Sequence, residues 1–142
     1  MASTSIETDW LAAGDRLREL LLPLKPTVVR DVLVATDLAA AENLGQIVPA
    51  VHIIYQGDQV GDGRQGGKAK DVTQSWMVLL VHRNVAGLPS AGECLRQVMD
   101  AVTGKSFDKH VFMLATPPKP SHYQGASYLP VSFTIQLQFK GA

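Results

Sequence analysis

The chain has 142 residues and a formal net charge of zero, with thirteen basic side chains against thirteen acidic ones. That length fits one domain, spanning 1–142, and excludes two. The charge balance excludes a protein whose main work is gripping nucleic-acid phosphates, which needs a surplus of Lys and Arg. Charged residues are 18% of the chain, against roughly 25% in an average soluble domain, so little self-repulsion opposes association of copies. The one cysteine, Cys94, excludes an internal disulfide and a cysteine-cluster zinc site. No basic segment followed by an apolar stretch opens the chain, and the longest apolar run, Trp76 to Val81, suits a buried strand rather than a membrane span. The expected setting is a reducing cytoplasm.

The first eight residues read as a flexible lead. A helix follows, capped by Thr8 or Asp9, with Trp10, Leu17, Leu20, Leu21 and Leu24 at helical spacing and Pro23 and Pro26 to stop it. Thr27 to Ala35, rich in valine, predicts a strand. Asp37 to Glu42 predicts a short helix capped by Thr36. Ala50 to Gln56 predicts a second strand, and Gly57 to Asp71 a long hairpin loop with five glycines. Val72 to Arg83 predicts a strand buried on both faces, because its apolar residues do not alternate. Ser90 and Glu93 form a capping box for a helix that carries Leu95, Val98, Met99 and Val102 and ends at Gly104. Lys109 to Ala115 predicts a strand, and Pro117, Pro118 and Pro120 a stiff connector. In the last strand Leu129, Val131, Phe133, Ile135, Leu137 and Phe139 alternate with Ser132, Thr134, Gln136, Gln138 and Lys140, so one face is buried. The order defines an α+β domain, a mainly antiparallel or mixed sheet of about five strands with helices packed on one face.

Few residues concentrate chemistry. Gly61, Gly63 and Gly66 match G-x-G-x-x-G, but a dinucleotide site needs a helix after them and the next element is a strand. His52, His82, His110 and His122 lie scattered, and pairing Gln56 with Val72 puts His52 beside Trp76, far from His82. No nucleophile elbow appears. Cys94 sits on an apolar helix face, where a buried thiol is inert. We therefore expect no catalytic, cofactor-binding or metal residues, and no enzyme. The 57–71 loop is the candidate contact segment: Asp58, Asp62, Arg64, Lys68, Lys70 and Asp71 place mixed charge on a pliant backbone that can order against a neighbour.

Several phrases resemble the tail terminator proteins of long-tailed bacteriophages. They are the opening helix with DRLRELL, the segments VATDLAAA and PAVHIIYQGD, the glycine-rich hairpin, QSWMVLLVHRN, and the Ser90-Ala91-Gly92 helix start. The resemblance spans roughly Asp9 to Phe139. It implies a structural virion protein in the tail or neck, assembled in the host cytoplasm. By the same resemblance, copies form a ring, typically a hexamer, that caps the tail tube, stops polymerisation and offers a surface to the head connector. The implied partners are further copies, the tail tube protein, a neck or head-connector protein, and a sheath protein where the tail contracts. DNA passes through without specific binding, and neither a cofactor nor a membrane is involved. Two other readings stand beside it: another neck or tail-completion protein, and a small enzyme or ligand-binding domain.

Overall fold

The computed structural model describes residues 5–35, 48–64, 69–123 and 125–141. The first helix, α1, runs Ala12–Leu21, and one 3-10 turn, Leu22–Leu24, carries the chain past Pro23. No side chain caps α1. Asp9 Oδ1 instead accepts the Leu11 N–H at 3.0 Å, and the N–H groups of Thr8 and Asp9 return to Ser5 O. These bonds wind the segment before the helix into turns, so Trp10 precedes α1 rather than lying on it. The expected helix at Asp37 to Glu42 lies outside the described residues.

Strand β1 is Asp31–Ala35, shorter than the valine run. The N–H groups of Val28 and Val29 both bond to Leu24 O, which holds the residues before β1 in a turn. β2 is Ala50–Arg64 and β3 is Ala69–His82. The second described helix, α2, is Ala91–Val102, and its capping box is complete: Glu93 N–H donates to Ser90 Oγ, and Ser90 N–H donates back to Glu93 Oε1.

The predicted strand at Lys109 to Ala115 is divided. β4, Ser106–Phe107, and β5, His110–Val111, make a two-stranded turn through Asp108, whose φ is +56°. Phe112 breaks the run because its backbone is bound elsewhere: its N–H donates to Lys105 O and its carbonyl accepts from Gly104 N, both at 2.9 Å. β6 is Met113–Ala115, β7 is Ser121–Tyr123 and β8 is Ala126–Lys140. The main sheet has the order β1-β2-β3-β8-β6, with β7 also on β8. β1 is parallel to β2, and the other pairs are antiparallel. The fold is α+β, with both described helices on one face.

The 57–71 segment departs from expectation. It is ladder rather than loop: Gly57 faces Ser75, Val60 faces Val72 and Arg64 faces Ala69, while 65–68 lie outside the described residues. Two irregularities, at Tyr55/Gly57 and Val60/Gly63, absorb the extra residues, the first using Gly57 at φ +112°. β8 stays in register with β3 from Ser127 to Lys140. Backbone pairing on both sides of β3 thus holds a polar, glycine-rich sequence that has few side chains to bury.

Val51 and Ile53 of β2, Trp76, Val78 and Leu80 of β3, and Val131, Phe133, Ile135 and Leu137 of β8 share the helix-facing side. Ala13, Leu17 and Leu21 of α1 and Cys94, Val98 and Val102 of α2 close over them. Ile54, Met77, Leu79, Val81, Ala126 and Tyr128 form a second buried cluster on the opposite face. β3 therefore buries both faces from Trp76 to His82, the physical cause of its unbroken apolar run.

α1 lies against Trp76 at Gly14. A Cβ there would stand 2.7 Å from Trp76 Cη2 and 2.9 Å from Cζ3. Gly14→Ala forces the indole or the helix to move, and overpacking of this kind costs about 1–3 kcal/mol. Urea denaturation is expected to show a lowered midpoint with an unchanged slope.

Candidate assembly surface

The arm formed by the distal parts of β2, β3 and β8 carries the candidate contact residues other than Lys68. Register assigns them to faces: Asp58 lies across from Gln74 on the helix side, whereas Asp71 lies across from Gln138 on the other. Lys70 is half-buried opposite Gly63 and Phe139. Asp62 and Arg64 fall at the end of β2 with side chains outside the described set, and Lys68 lies outside the described residues altogether. The structure therefore gives surroundings for Asp58, Lys70 and Asp71, and separates Asp58 from Asp71 by the thickness of the sheet. Asp71 lines an open depression with Gln59, Thr73 and Gln136, so its carboxylate sits among amides and a hydroxyl.

Asp58 is anchored by two side chains. Trp10 Nε1 donates to its Oδ2 at 2.8 Å, and the Tyr55 hydroxyl is bonded to the same carboxylate. Burial first, then the hydrogen bond and negative charge of Asp58, push the Tyr55 pKa up to about 12. Tyr55 packs against Trp76 with ring centroids 5.3 Å apart, and Trp10 meets Phe139 edge-on at 5.9 Å. Beneath them lies Gln74, fully buried. Its Nε2 donates to Trp10 O at 2.9 Å, and its Oε1 accepts from Trp76 Nε1 at 2.7 Å. Sequence reasoning passed over Gln74. The available signal was its parity: a glutamine between Val72 and Trp76 on a core-facing period of two asks for partners.

The histidines fall differently from the assumed register. His52 faces Leu79, and it is Tyr55 that faces Trp76. His52 is fully buried, and burial lowers its pKa while Asp31 opposes that shift. His82 Nε2 lies 3.2 Å from Pro89 O. Among the described residues, no group of three or more His, Cys, Asp or Glu side chains gathers as metal ligands do. The Cys94 thiol is buried, points at Val28 O and Pro89 O, and has its pKa raised by burial and then by Glu93. Such a thiol is a poor nucleophile. Of the G-x-G-x-x-G glycines, Gly61 and Gly63 lie in β2 and Gly66 lies outside the described residues; the next described element is β3, not a helix.

The family model for the phage tail terminator protein matches residues 13–141. The chain belongs to the phage tail terminator family, and so to the structural proteins of the virion tail, where it associates with other tail components. No curated protein matches the chain.

Two measurements check the anchor. Tyr55 is expected to titrate near pH 12 in ultraviolet difference spectra, and Asp58→Asn to bring it down toward 10. Because the folded hydroxyl keeps its proton longer than the unfolded one, its stabilising share is complete below pH 10 and is lost as pH rises from there through 12. Gln74→Leu leaves the Trp76 indole N–H and the Trp10 carbonyl without their partner. Each buried orphan costs about 1–3 kcal/mol, so the variant is expected to unfold at a clearly lower temperature in calorimetry.

Proposed function

We propose that copies of this chain form a ring, a hexamer, on the last layer of a growing tail tube. The ring stops further tube addition and presents its other side to a neck or head-connector protein. The observation that carries the reading is family membership over nearly the whole chain, on a fold with an extended arm. Capping needs no chemistry; it needs an interface that closes on itself instead of continuing as a filament. Zero net charge suits a lumen through which DNA passes without being held. A sheath protein is a further partner where the tail contracts. Assembly takes place in the host cytoplasm.

In this reading Asp58, Asp62, Arg64, Lys68, Lys70 and Asp71 make the contact of the arm with the tube or with an adjacent subunit. Backbone pairing presets most of the arm, so less ordering entropy is lost on docking than a free loop of that length would lose. Loss of the protein is expected to give overlong tubes in electron micrographs of infected-cell lysates. Finished but headless tails of normal length would instead identify a neck component. Removing Asp62 to Lys68 is expected to abolish head-competent tails, and normal tails from that variant would refute the contact assignment.

A further inference from the structure

Half-exposed apolar side chains crowd one rim of the sheet. Val111 is 46% exposed, Met113 54%, Leu114 46% and Tyr123 61%. They lie on β5, β6 and β7, along the outer flank of β8. Among the described residues β6 pairs with β8 alone, so its far side offers backbone N–H and C=O groups beside uncharged Met113, Leu114 and Ala115. Pro117, Pro118 and Pro120 then end the run, because proline has no N–H for a ladder. The edge is short and apolar.

The opposite margin matches it. Among the described residues β1 pairs with β2 alone, and it carries Val34, 54% exposed. Its one charged residue, Asp31, lies 3.3 Å from Lys25 Nζ, so the margin is close to neutral. A largely apolar edge strand with an open ladder is a template for another strand. Among its described residues this chain holds two, at opposite ends of one sheet, with Asp31 the one charge on their strands and Lys25 beside it.

Strand directions decide how two copies fit. β1 runs with β2, β3 against β2, β8 against β3, and β6 against β8. β6 therefore runs opposite to β1. When copies are related by rotation about an axis along the strands, β6 of one meets β1 of the next antiparallel, the more stable pairing. The contact uses a different edge on each side, and a heterologous contact of that kind closes into a ring when the rotation permits.

We propose that the ring interface is this edge junction, in which β6 of one copy adds to β1 of the next and Leu114 packs against Val34, both on the helix-facing side of the sheet. The occupant is a second copy of this chain. The inference rests on the ring reading above and supplies the surface that builds it. It is separate from the arm contact, which involves the other end of β2 and β3.

The test uses the full chain and retains Cys94, which is buried. Val34→Cys is combined in turn with Met113→Cys, Leu114→Cys and Ala115→Cys, and each double variant is oxidised. At least one is expected to give a ladder of covalent oligomers on a non-reducing gel, where the single variants stop at dimers. In parallel, Leu114→Lys and Val34→Lys put a charge on one edge each. Both positions are already half exposed, so the monomer keeps its circular dichroism and its unfolding midpoint, while the ring-sized species is lost from light scattering. Wild-type rings with no cross-link in any combination, and with both lysine variants still ring-sized, would overturn the edge assignment and leave the ring reading standing. A wild type that never assembles, alone or on tail tubes, would overturn both. A bond joining two copies of the Leu114→Cys single variant, with no ladder from any double variant, overturns the assignment in favour of a two-fold dimer.

Discussion

One buried amide ties the molecule together. Gln74 sits on the central strand with no access to solvent, where an unbonded amide is costly, and both its ends are satisfied: one by the backbone of the N-terminal turn, the other by the Trp76 indole. Because the amide fixes the Trp10 backbone, the Trp10 indole reaches Asp58, and because Asp58 is held, Tyr55 is bonded as well. A chain of hydrogen bonds thus runs from the sheet centre to the base of the arm. The same tryptophan on β3 dictates a glycine on the helix opposite, since nothing larger than hydrogen fits above its ring. Helix, N-terminal turn and arm are all positioned from one residue pair on β3.

β3 is able to serve in this way because it has neighbours on every side. β2 and β8 flank it along its whole length, and apolar clusters lie above and below its second half. The margins of the sheet are the reverse. There the strands are short, several side chains are half exposed, and among the described residues a backbone ladder is open on one side. Stability is concentrated at the centre, and backbone left open among the described residues at the rim. Under the proposed edge junction, that division lets the rim pair without disturbing what holds the arm in place.

Much of the architecture was legible in the sequence. The alternation from Leu129 to Phe139 and the Ser90–Glu93 box speak through local rules of period and capping, which survive any tertiary context. The unbroken apolar run of β3 likewise announced burial on both faces. The arm was misread because glycine and charged residues signal a loop when only side chains are weighed, whereas here the ladder is held by backbone bonds to β8, more than fifty residues further along. β5 and β6 were merged for a related reason: no local pattern shows that Phe112 gives its backbone to the residues after α2. Trp10 was placed on the helix by its spacing alone. Of the candidate contact residues, the sequence marked the charged segment but not the bond from Trp10 that singles out Asp58.

β8 has a consequence for how the subunit is made. It supplies one whole side of the central strand and the only partner of β6 and β7 among the described residues, yet it follows every other described strand in the chain. The contacts it makes are distant in sequence and slow to form. Until it emerges, β3 lacks one neighbour and β6 and β7 have no described strand to lie on. Synthesis therefore carries its own checkpoint: a polypeptide interrupted before β8 cannot complete the β6 margin.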